Sequence, residues 1–390
     1  MDTLGRYYTK DKFSELLIKN LENEHPQTIL DLGVGAGSLI RAAHNRWKNA
    51  KFIAADVDPL SVKSVSKNLP FIKIFKANGL KINIERSILI NKSTIDIAVC
   101  NPPYLAIKEK KRFENLFCDA ELRECLNLKK ITSDIVFLAQ NLKLLRENGE
   151  LGIILPDSIL TGQEYIPLRQ ALLNNHRIKA LIELPERIFA KTEAKTHIAI
   201  IEKGETTTNK IPLFIAGKNG DCVDQIDIDS SLLEHRMDFS YHKADIKLKK
   251  VKNLQKLRDF EYKLFRGNKG NADLRESGIK YLHSTSFKNA DSIECGKRKQ
   301  DGKKYILAET GDLIIVRVGR RCVGKSALIL SGQLPVSDCL YVIKAKKDVI
   351  KGIWKFITSK EGEVWLKANS HGTCAKVLNR ADIGNIPIIQ

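Results

Sequence analysis

The stretch TILDLGVGAGS at residues 28–38 decides the fold. Its first five residues form an apolar run typical of a strand, and Ser38 begins a helix-like segment that ends near Trp47. The three glycines between them permit a tight turn and the close approach of a ligand to the backbone. The pattern differs from the G-x-G-x-x-G of dinucleotide-binding proteins, and alone it is weak evidence, because many strand-to-helix turns need glycine.

Strand-like and helix-like segments alternate from Thr28 to about Lys203. Beyond the first unit, the strand-like segments are residues 51–56, 71–75, 95–100, 150–156, 178–184 and 197–202, and the helix-like segments are residues 58–68, 134–145 and 167–175. This alternation predicts an α/β fold with a doubly wound, mostly parallel, Rossmann-like sheet.

The second half of the chain has a different pattern. Short β-like segments separated by glycine and polar turns follow residue 270, and residues 350–369 are helix-like. We therefore predict a first domain at residues 1–215, a linker at residues 216–240 and a second, α+β domain at residues 241–390. Two domains also suit a chain of 390 residues.

The composition argues against several classes of protein. No stretch approaches 18 consecutive apolar residues, and the first residues lack the apolar region of a signal peptide, so we expect a cytoplasmic protein without a membrane partner. The eight cysteines are scattered and form no C-x-x-C pair, which is typical of small buried apolar side chains. No metal site is expected.

The net charge of +19 indicates an anionic partner. Nucleic acid is the commonest such partner, although a solvated surface from a lysine-rich proteome is the alternative. The excess of positive charge is marked from Tyr241 to Gly270, a segment that contains ten Lys and Arg residues but only three Asp and Glu residues.

Polar side chains stand at the carboxyl ends of the first four predicted strands. Asp31 ends the first, Asp56 the second, Asn78 follows the third and Asn101 follows the fourth. The carboxyl ends of parallel strands face the ligand crevice of an open α/β sheet. A carboxylate at the position of Asp56 can accept hydrogen bonds from a ribose diol.

The tetrapeptide Asn101-Pro102-Pro103-Tyr104 is the most specific motif of the chain. Its two prolines fix φ and remove two backbone donors, which leaves the Asn101 amide oxygen and neighbouring carbonyls as acceptors beside an aromatic ring. Such a group suits an amino group on a planar ring. The acceptors can hold its N–H groups while the nitrogen lone pair points at an electrophile, and Tyr104 can stack on the ring.

The first half of the chain resembles the gamma-class amino-methyltransferases, the DNA adenine-N6 methylases that place the catalytic domain before the target-recognition domain. The resemblance implies S-adenosylmethionine as cofactor and a flipped-out adenine as target. It implies the following roles: Tyr8 and Thr9 in a segment that caps the cofactor, Asp31, Gly33 and Gly35 around its methionine part, Asp56 and Val57 at the ribose, Asn78 and Gly79 at the adenine moiety, Asn101 to Tyr104 in catalysis, and Tyr104 and Phe189 on the two faces of the target base. Asn78 stands where the family usually has Asp. Ordinary core packing is the alternative for Phe189.

The second half resembles one recognition module of type I restriction specificity subunits, mainly at residues 311–319 and 377–388. This resemblance implies a DNA-recognition domain with double-stranded DNA as partner. Arg317, Arg320, Arg321 and Lys325 are candidate DNA contacts, with plain solvated charge as the alternative. The helix at residues 350–369 is compared with the spacer of those subunits.

Residues 319–326 also satisfy the phosphate-loop pattern G-x-x-x-x-G-K-[ST]. A phosphate loop must open a helix, whereas Ala327 to Leu330 is a short β-like run. We therefore predict that these residues do not bind a nucleotide.

The sequence thus predicts a site-specific DNA adenine-N6 methyltransferase, typically the modification enzyme of a restriction-modification system. Three alternatives change the acceptor to an RNA base, a release-factor glutamine or the N4 of cytosine. A further alternative is a DNA-binding specificity protein with a vestigial methylase fold. A restriction endonuclease encoded nearby is a compatible partner, and both a monomer and a homodimer remain open.

Overall fold

The computed structural model describes residues 11–108, 111–186, 195–204, 206, 210–249, 254–296, 304–372 and 375–389. The chain divides into two compact units, residues 1–240 and 241–390. No helix within the described residues combines the length and the apolar character that a bilayer crossing requires.

The first unit is built on a nine-stranded sheet. Its strands, together with the short pair β5 and β6, are β1 (Thr28–Leu32), β2 (Lys51–Asp56), β3 (Ile72–Lys76), β4 (Ile95–Cys100), β5 (Ala106–Ile107), β6 (Ile131–Thr132), β7 (Leu145–Pro156), β8 (His176–Glu183), β9 (Thr196–Lys203), β10 (Lys210–Ala216) and β11 (Cys222–Asp229). The order across the sheet is β11-β10-β8-β9-β7-β4-β1-β2-β3. Because β1 lies between β4 and β2, the chain reverses its winding direction there, and the ligand crevice of such sheets opens at that point.

Most neighbouring strands are parallel. The exception is β9, which runs antiparallel to both β7 and β8, and β11 is an antiparallel edge strand on β10. The central strands are buried on both faces, which explains their continuous apolar sequences. The predicted fold class, a mostly parallel α/β sheet, is confirmed.

Helices accompany this sheet: α1 (Asp11–Lys19), α2 (Ser38–Arg46), α3 (Pro59–Asn68), α4 (Ile84–Ser87), α5 (Glu114–Asp119), α6 (Ser133–Leu144), α7 (Asp157–Thr161) and α8 (Ile166–Asn175). The start of α3 shows how the sequence sets such a boundary. Asp58 is the N-cap and accepts a hydrogen bond from the backbone N–H of Leu60, and Pro59 takes the first helical position, where no N–H is needed.

Residues 216–240, which we expected to be a linker, belong to the first unit. Cys222–Asp229 forms β11 and pairs along its length with β10, and the division of the chain falls after Ser240. The sequence concealed this strand because it is an edge strand whose side chains are mostly exposed and polar.

The second unit contains the strands β12 (Gln255–Lys256), β13 (Tyr262–Arg266), β14 (Asp291–Glu294), β15 (Leu307–Glu309), β16 (Leu313–Val316), β17 (Val318–Gly319), β18 (Ser326–Ser331), β19 (Gln333–Pro335), β20 (Leu340–Ala345), β21 (Lys376–Val377) and β22 (Pro387–Ile388). Its helices are α9 (Phe239–Lys249), which starts two residues before the division, α10 (Asn271–Glu276), α11 (Lys347–Ile357), α12 (Lys360–Asn369) and α13 (Arg380–Gly384). A five-stranded sheet, β13-β20-β16-β18-β14, forms its centre.

The side chains of β16 alternate between two hydrophobic clusters. Leu313 and Ile315 join one cluster with residues of α11 and α12, and Ile314 and Val316 join another on the opposite face. The predicted single helix at residues 350–369 is wrong. Ser359 interrupts it by capping α12, since its hydroxyl accepts a hydrogen bond from the N–H of Gly362 at 3.0 Å. The comparison of this segment with the spacer of specificity subunits stays a prediction.

Candidate active site

A cavity opens at the carboxyl ends of β1 to β4. It is lined by Asp31, Leu32, Gly33, Val34, Gly35, Ala36, Ser38, Leu39, Ala55, Asp56, Val57, Ala77, Asn78, Gly79, Leu80, Asn101, Pro103, Leu105 and Phe137. All seven described residues that we predicted to bind the cofactor are in this set, and so are two residues of the predicted catalytic turn. Tyr8, Thr9 and Phe189 lie outside the described residues.

The glycine-rich turn after β1 needs its glycines. Gly33, Gly35 and Gly37 have φ of 81°, 52° and 81°, a region that side-chain-bearing residues rarely adopt. The turn is fastened to the end of β2, because the N–H groups of Gly33 and Val34 donate to the carbonyl of Ala55 at 2.8 and 3.1 Å. Its backbone therefore forms a fixed wall of the cavity.

Asp56 is held in place by backbone donors. One carboxylate oxygen accepts from the N–H of Gly35 and the other from the N–H of Asp58, both at 2.8 Å. An ionised carboxylate offers about four acceptor positions, so both oxygens keep capacity for the hydroxyls of a ribose. The backbone thus orients this carboxylate before any ligand arrives.

Asp31 is nearly inaccessible to solvent, and its Oδ1 has no hydrogen-bond partner among the described residues. Burial, together with the nearby Asp56 carboxylate, raises the pKa of Asp31 well above its ordinary value. A buried carboxyl of this kind gains most from a cationic ligand. S-adenosylmethionine, with its sulfonium and α-ammonium groups, fits that requirement.

This carboxyl leads to a prediction on pH. As the pH rises through the pKa of Asp31, the carboxylate forms and attracts the cationic ligand, so the affinity for S-adenosylmethionine should increase and binding should release a proton. Titration calorimetry below about pH 7, where the α-amino group of the ligand stays charged, measures both effects. Asp31→Asn should bind more weakly and lose most of the pH dependence, and an unchanged dependence in that variant would contradict the assignment.

Phe137 on α6 is a cavity residue that the sequence did not reveal. A Cβ atom placed on Gly79 would lie 2.4 Å from Cζ of Phe137, and one placed on Gly33 would lie 3.3 Å from its Cε1. The ring therefore packs closely against Gly79, at the predicted adenine end of the cavity, and against Gly33, in the turn predicted to surround the methionine part. All twelve residues of α6 are buried, so no amphipathic pattern marked the side that faces the cavity.

Asn78 forms a local turn next to this ring. Its side-chain oxygen accepts a hydrogen bond from the N–H of Leu80 at 2.9 Å. Aspartate could accept the same bond, so the departure from the family pattern leaves this turn intact.

The predicted catalytic turn follows β4. Asn101, Pro103 and Tyr104 are half-buried, whereas Pro102 is buried. The hydroxyl of Tyr104 lies 3.4 Å from Oδ1 of Asn101 and 3.4 Å from the carbonyl oxygen of Ile154 on β7, which are long, weak contacts. The turn thus places the amide oxygen of Asn101 beside the hydroxyl of Tyr104. Asn101 and Pro103 line the cavity, whereas Pro102 and Tyr104 are not among its lining residues.

A buried group of charged side chains lies at the same edge of the sheet, beyond β7. Lys195 contacts Glu183 at 2.9 Å and Asp157 at 3.5 Å, and Asp157 also contacts His197 at 2.9 Å. Burial alone would lower the pKa of Lys195, but the carboxylates of Glu183 and Asp157 raise it above its ordinary value. These ion pairs fasten the ends of β7, β8 and β9 to one another. No group of three or more His, Cys, Asp or Glu within the described residues is arranged to hold a metal ion.

The four predicted DNA contacts lie in the second unit and differ in their surroundings. Arg320 and Arg321 are exposed in the turn between β17 and β18, and Lys325 is half-buried at its end. Arg317 is used within the unit, since its guanidinium lies 5.6 Å from the ring centre of Tyr341 and donates to the carbonyl of Asp338 at 3.2 Å. The phosphate-loop pattern at residues 319–326 is followed by the strand β18. As predicted, the pattern does not open a helix.

Residues 2–267 match the family model described as N-6 DNA Methylase. The chain is 21% identical over 221 residues to the type I restriction enzyme EcoEI methylase subunit of Escherichia coli, which covers 52% of this chain and 43% of that protein. It is 27% identical over 226 residues to the type II methyltransferase M.BsuBI of Bacillus subtilis, which covers 52% and 44%.

Among solved structures, the type IIG restriction endonuclease BpuSI aligns with 100% of this chain and 59% of its own, at a TM-score of 0.54 and 12% identity, a likeness that shows the fold alone. The chain spans less than half the length of the two curated relatives. The family model, however, covers well over half of the chain, and the protein is therefore a member of the N-6 DNA methylase family, whose methyl donor is S-adenosylmethionine.

Proposed function

We propose that this protein transfers a methyl group to the exocyclic N6 amino group of an adenine in double-stranded DNA, at a specific sequence. One observation carries the proposal: Asn101 and Pro103 of the catalytic turn line the same cavity as Asp31, Asp56 and Gly79. An amino group held by the turn therefore lies next to the ligand that fills the cavity. When bound, S-adenosylmethionine supplies an activated methyl group on a sulfonium.

The residues of the turn act by holding the acceptor nitrogen. The amide oxygen of Asn101 and the carbonyl of Pro102 accept the two N–H groups, which draws the nitrogen lone pair out of conjugation and toward the methyl carbon. As the new C–N bond forms, the C–S bond breaks and its electron pair stays on sulfur; the nitrogen then loses one proton to water. Asn101 suits this position because it accepts hydrogen bonds without carrying charge into a partly dehydrated site.

The target adenine has to leave the duplex, which costs a few kcal/mol. Stacking on an aromatic ring contributes about 1–3 kcal/mol per base and offsets much of that cost. We assign this contact to Tyr104 and, by family resemblance, the contact with the other face of the base to Phe189.

The role of Tyr104 can be separated into its ring and its hydroxyl. Tyr104→Phe should keep kcat/KM on DNA within about threefold, because the hydroxyl contacts are long and weak. Tyr104→Ala should lower kcat/KM by roughly 5- to 150-fold, since it removes the stacking surface. Steady-state kinetics of both variants on one duplex make the comparison, and equal activity of the alanine and phenylalanine variants would argue against stacking.

The distribution of charge supports DNA as the substrate and the second unit as the part that binds it. Residues 241–390 contain 31 of the 65 Lys and Arg but only 15 of the 46 Asp and Glu, so they carry +16 of the net +19. A surface with that excess attracts phosphates and makes binding depend strongly on salt. Arg320, Arg321 and Lys325 are the proposed contacts, whereas Arg317 is used within the unit by its contacts with Tyr341 and Asp338.

Modified-base sequencing of DNA from cells that express the full chain tests the proposal. We expect N6-methyladenine at one recurrent sequence, and the purified chain should transfer radiolabelled methyl groups from S-adenosylmethionine to a duplex with that sequence. Nucleoside analysis distinguishes methyladenine from N4-methylcytosine. Absence of new methylation both in cells and with the purified chain would refute the proposal. A restriction endonuclease encoded nearby is the proposed partner if the protein belongs to a restriction-modification system.

A further inference from the structure

The catalytic turn is tied to the beginning of α6 through Ser133. The hydroxyl of Ser133 donates to the carbonyl of Pro103 and accepts from the N–H of Leu105 at 2.8 Å. The N–H of Ser133 donates in turn to the carbonyl of Leu105 at 2.8 Å. Ser133 is fully buried, so water does not compete for these bonds.

The same helix forms a wall of the cavity. Phe137 follows Ser133 by four residues, which places the two side chains on one face of α6, a turn apart. Next to Ser133, the short strands β5 and β6 pair through residues 106–107 and 131–132. The first turns of α6 thus hold the catalytic turn through Ser133 and the ring of Phe137 against Gly79.

We propose that Ser133 is a positioning residue for methyl transfer. Its hydroxyl fixes the carbonyl of Pro103, and through it the turn that presents Asn101, at a set distance from the cavity wall formed by Phe137. The inference rests on the proposed function, because it concerns the alignment of the acceptor nitrogen with the methyl group. Residues that do not touch the reacting atoms can matter in this way, since a misplacement of about 1 Å costs on the order of 100-fold in rate.

Removal of the hydroxyl should affect the chemical step more than binding. In Ser133→Ala, the Pro103 carbonyl and the Leu105 N–H lose a partner, whereas the backbone bond between Ser133 and Leu105 and the β5–β6 pairing remain. We expect kcat to fall by about 10- to 100-fold, with KM for DNA and Kd for S-adenosylmethionine within about twofold. Ser133→Thr retains the hydroxyl and should restore kcat to within about threefold of the wild type.

The experiment uses the full chain and a duplex carrying the sequence that the wild type methylates in cells. Kinetics, calorimetric binding of S-adenosylmethionine and thermal unfolding are measured for the wild type, Ser133→Ala, Ser133→Thr and a control, Thr161→Val. Thr161 is also buried, and its hydroxyl donates to the carbonyl of Asp157 at 2.8 Å, so the control removes a comparable bond away from the turn. Ser133→Cys, which weakens both bonds at similar volume, serves if the alanine variant does not fold. Its kcat should then fall below those of the wild type and Ser133→Thr, and a kcat equal to that of the wild type would contradict the inference.

The outcomes separate the two proposals. A selective loss of kcat in Ser133→Ala, restored by threonine and absent from Thr161→Val, supports the inference. If Ser133→Ala keeps the kcat of an active wild type, or if Thr161→Val loses as much, Ser133 has no positioning role although the proposed function stands. A wild type that methylates no duplex refutes the proposed function, and the inference falls with it.

Discussion

Replacement of Asn101 with alanine is expected to lower kcat for methyl transfer by at least about 100-fold, the range found when one aimed hydrogen-bonding group is removed from an active site. The amide oxygen of Asn101 lines the cavity beside Tyr104, and alanine offers no acceptor in its place. The carbonyl of Pro102 cannot take over its role, because in the proposed arrangement that carbonyl already holds the other N–H group.

The affinity for S-adenosylmethionine should change by less than about threefold in Asn101→Ala, because Asp31, Asp56 and the glycine-rich turn are untouched. Calorimetric titration and single-turnover kinetics with excess enzyme measure the two quantities. Asn68→Ala is the matched control, since Asn68 is an exposed asparagine of the same unit that contacts only Ser64 on its own helix among the hydrogen bonds described. Methyl transfer by Asn101→Ala at the rate of Asn68→Ala would overturn the role assigned to Asn101.

The second large effect concerns stability. Arg169 on α8 is fully buried, and its guanidinium donates to four backbone carbonyls, those of Ile159, Gly162, Glu234 and His235, at 2.7–2.9 Å. Burial, with a contribution from Arg236, lowers the pKa of Arg169 to about 10, so the group stays charged at neutral pH. Arg169→Met should therefore destabilise the first unit by at least about 3 kcal/mol, because a buried acceptor left without a donor costs about 1–3 kcal/mol.

Thermal and urea unfolding of the full chain measure the loss, and hydrogen exchange locates it. Protection should fall in residues 157–175 and 230–240, which the guanidinium joins. Arg41→Met is the control, because Arg41 is exposed on α2 and its replacement should change stability by less than about 0.5 kcal/mol. A stability of Arg169→Met equal to that of the control would show that the four bonds add little.

The sheet and the cavity follow from the sequence for one physical reason. In a parallel sheet the carboxyl ends of the strands meet at one edge, so polar residues that end successive strands are brought together by topology alone. Asp31, Asp56, Asn78 and Asn101 illustrate this, since they are far apart in the chain and line one cavity. The predicted end of each strand was therefore enough to assign these four residues to one site. Membership of the family confirms the predicted cofactor, S-adenosylmethionine.

Features that depend on packing between distant elements were not predictable. Phe137 and Ser133 lie on a helix that is buried on all sides, so no periodicity shows which side chain faces the cavity. Lys195 pairs with Glu183 and Asp157, and His197 contacts Asp157, because the antiparallel β9 lies between β7 and β8. The edge strand β11 was mistaken for a linker because exposure removes the apolar pattern that identifies strands.

The contact between Gly79 and Phe137 also restricts how this protein can change over evolutionary time. Any side chain at position 79 would collide with the ring of Phe137. We therefore expect substitutions of Gly79 to be selected against as long as residue 137 is aromatic. A substitution at position 137 can come first, because a smaller residue there creates the space that a later substitution at position 79 can fill. Once that space is filled, a return to phenylalanine at position 137 would produce the same collision, so we expect the residues at positions 79 and 137 to change together.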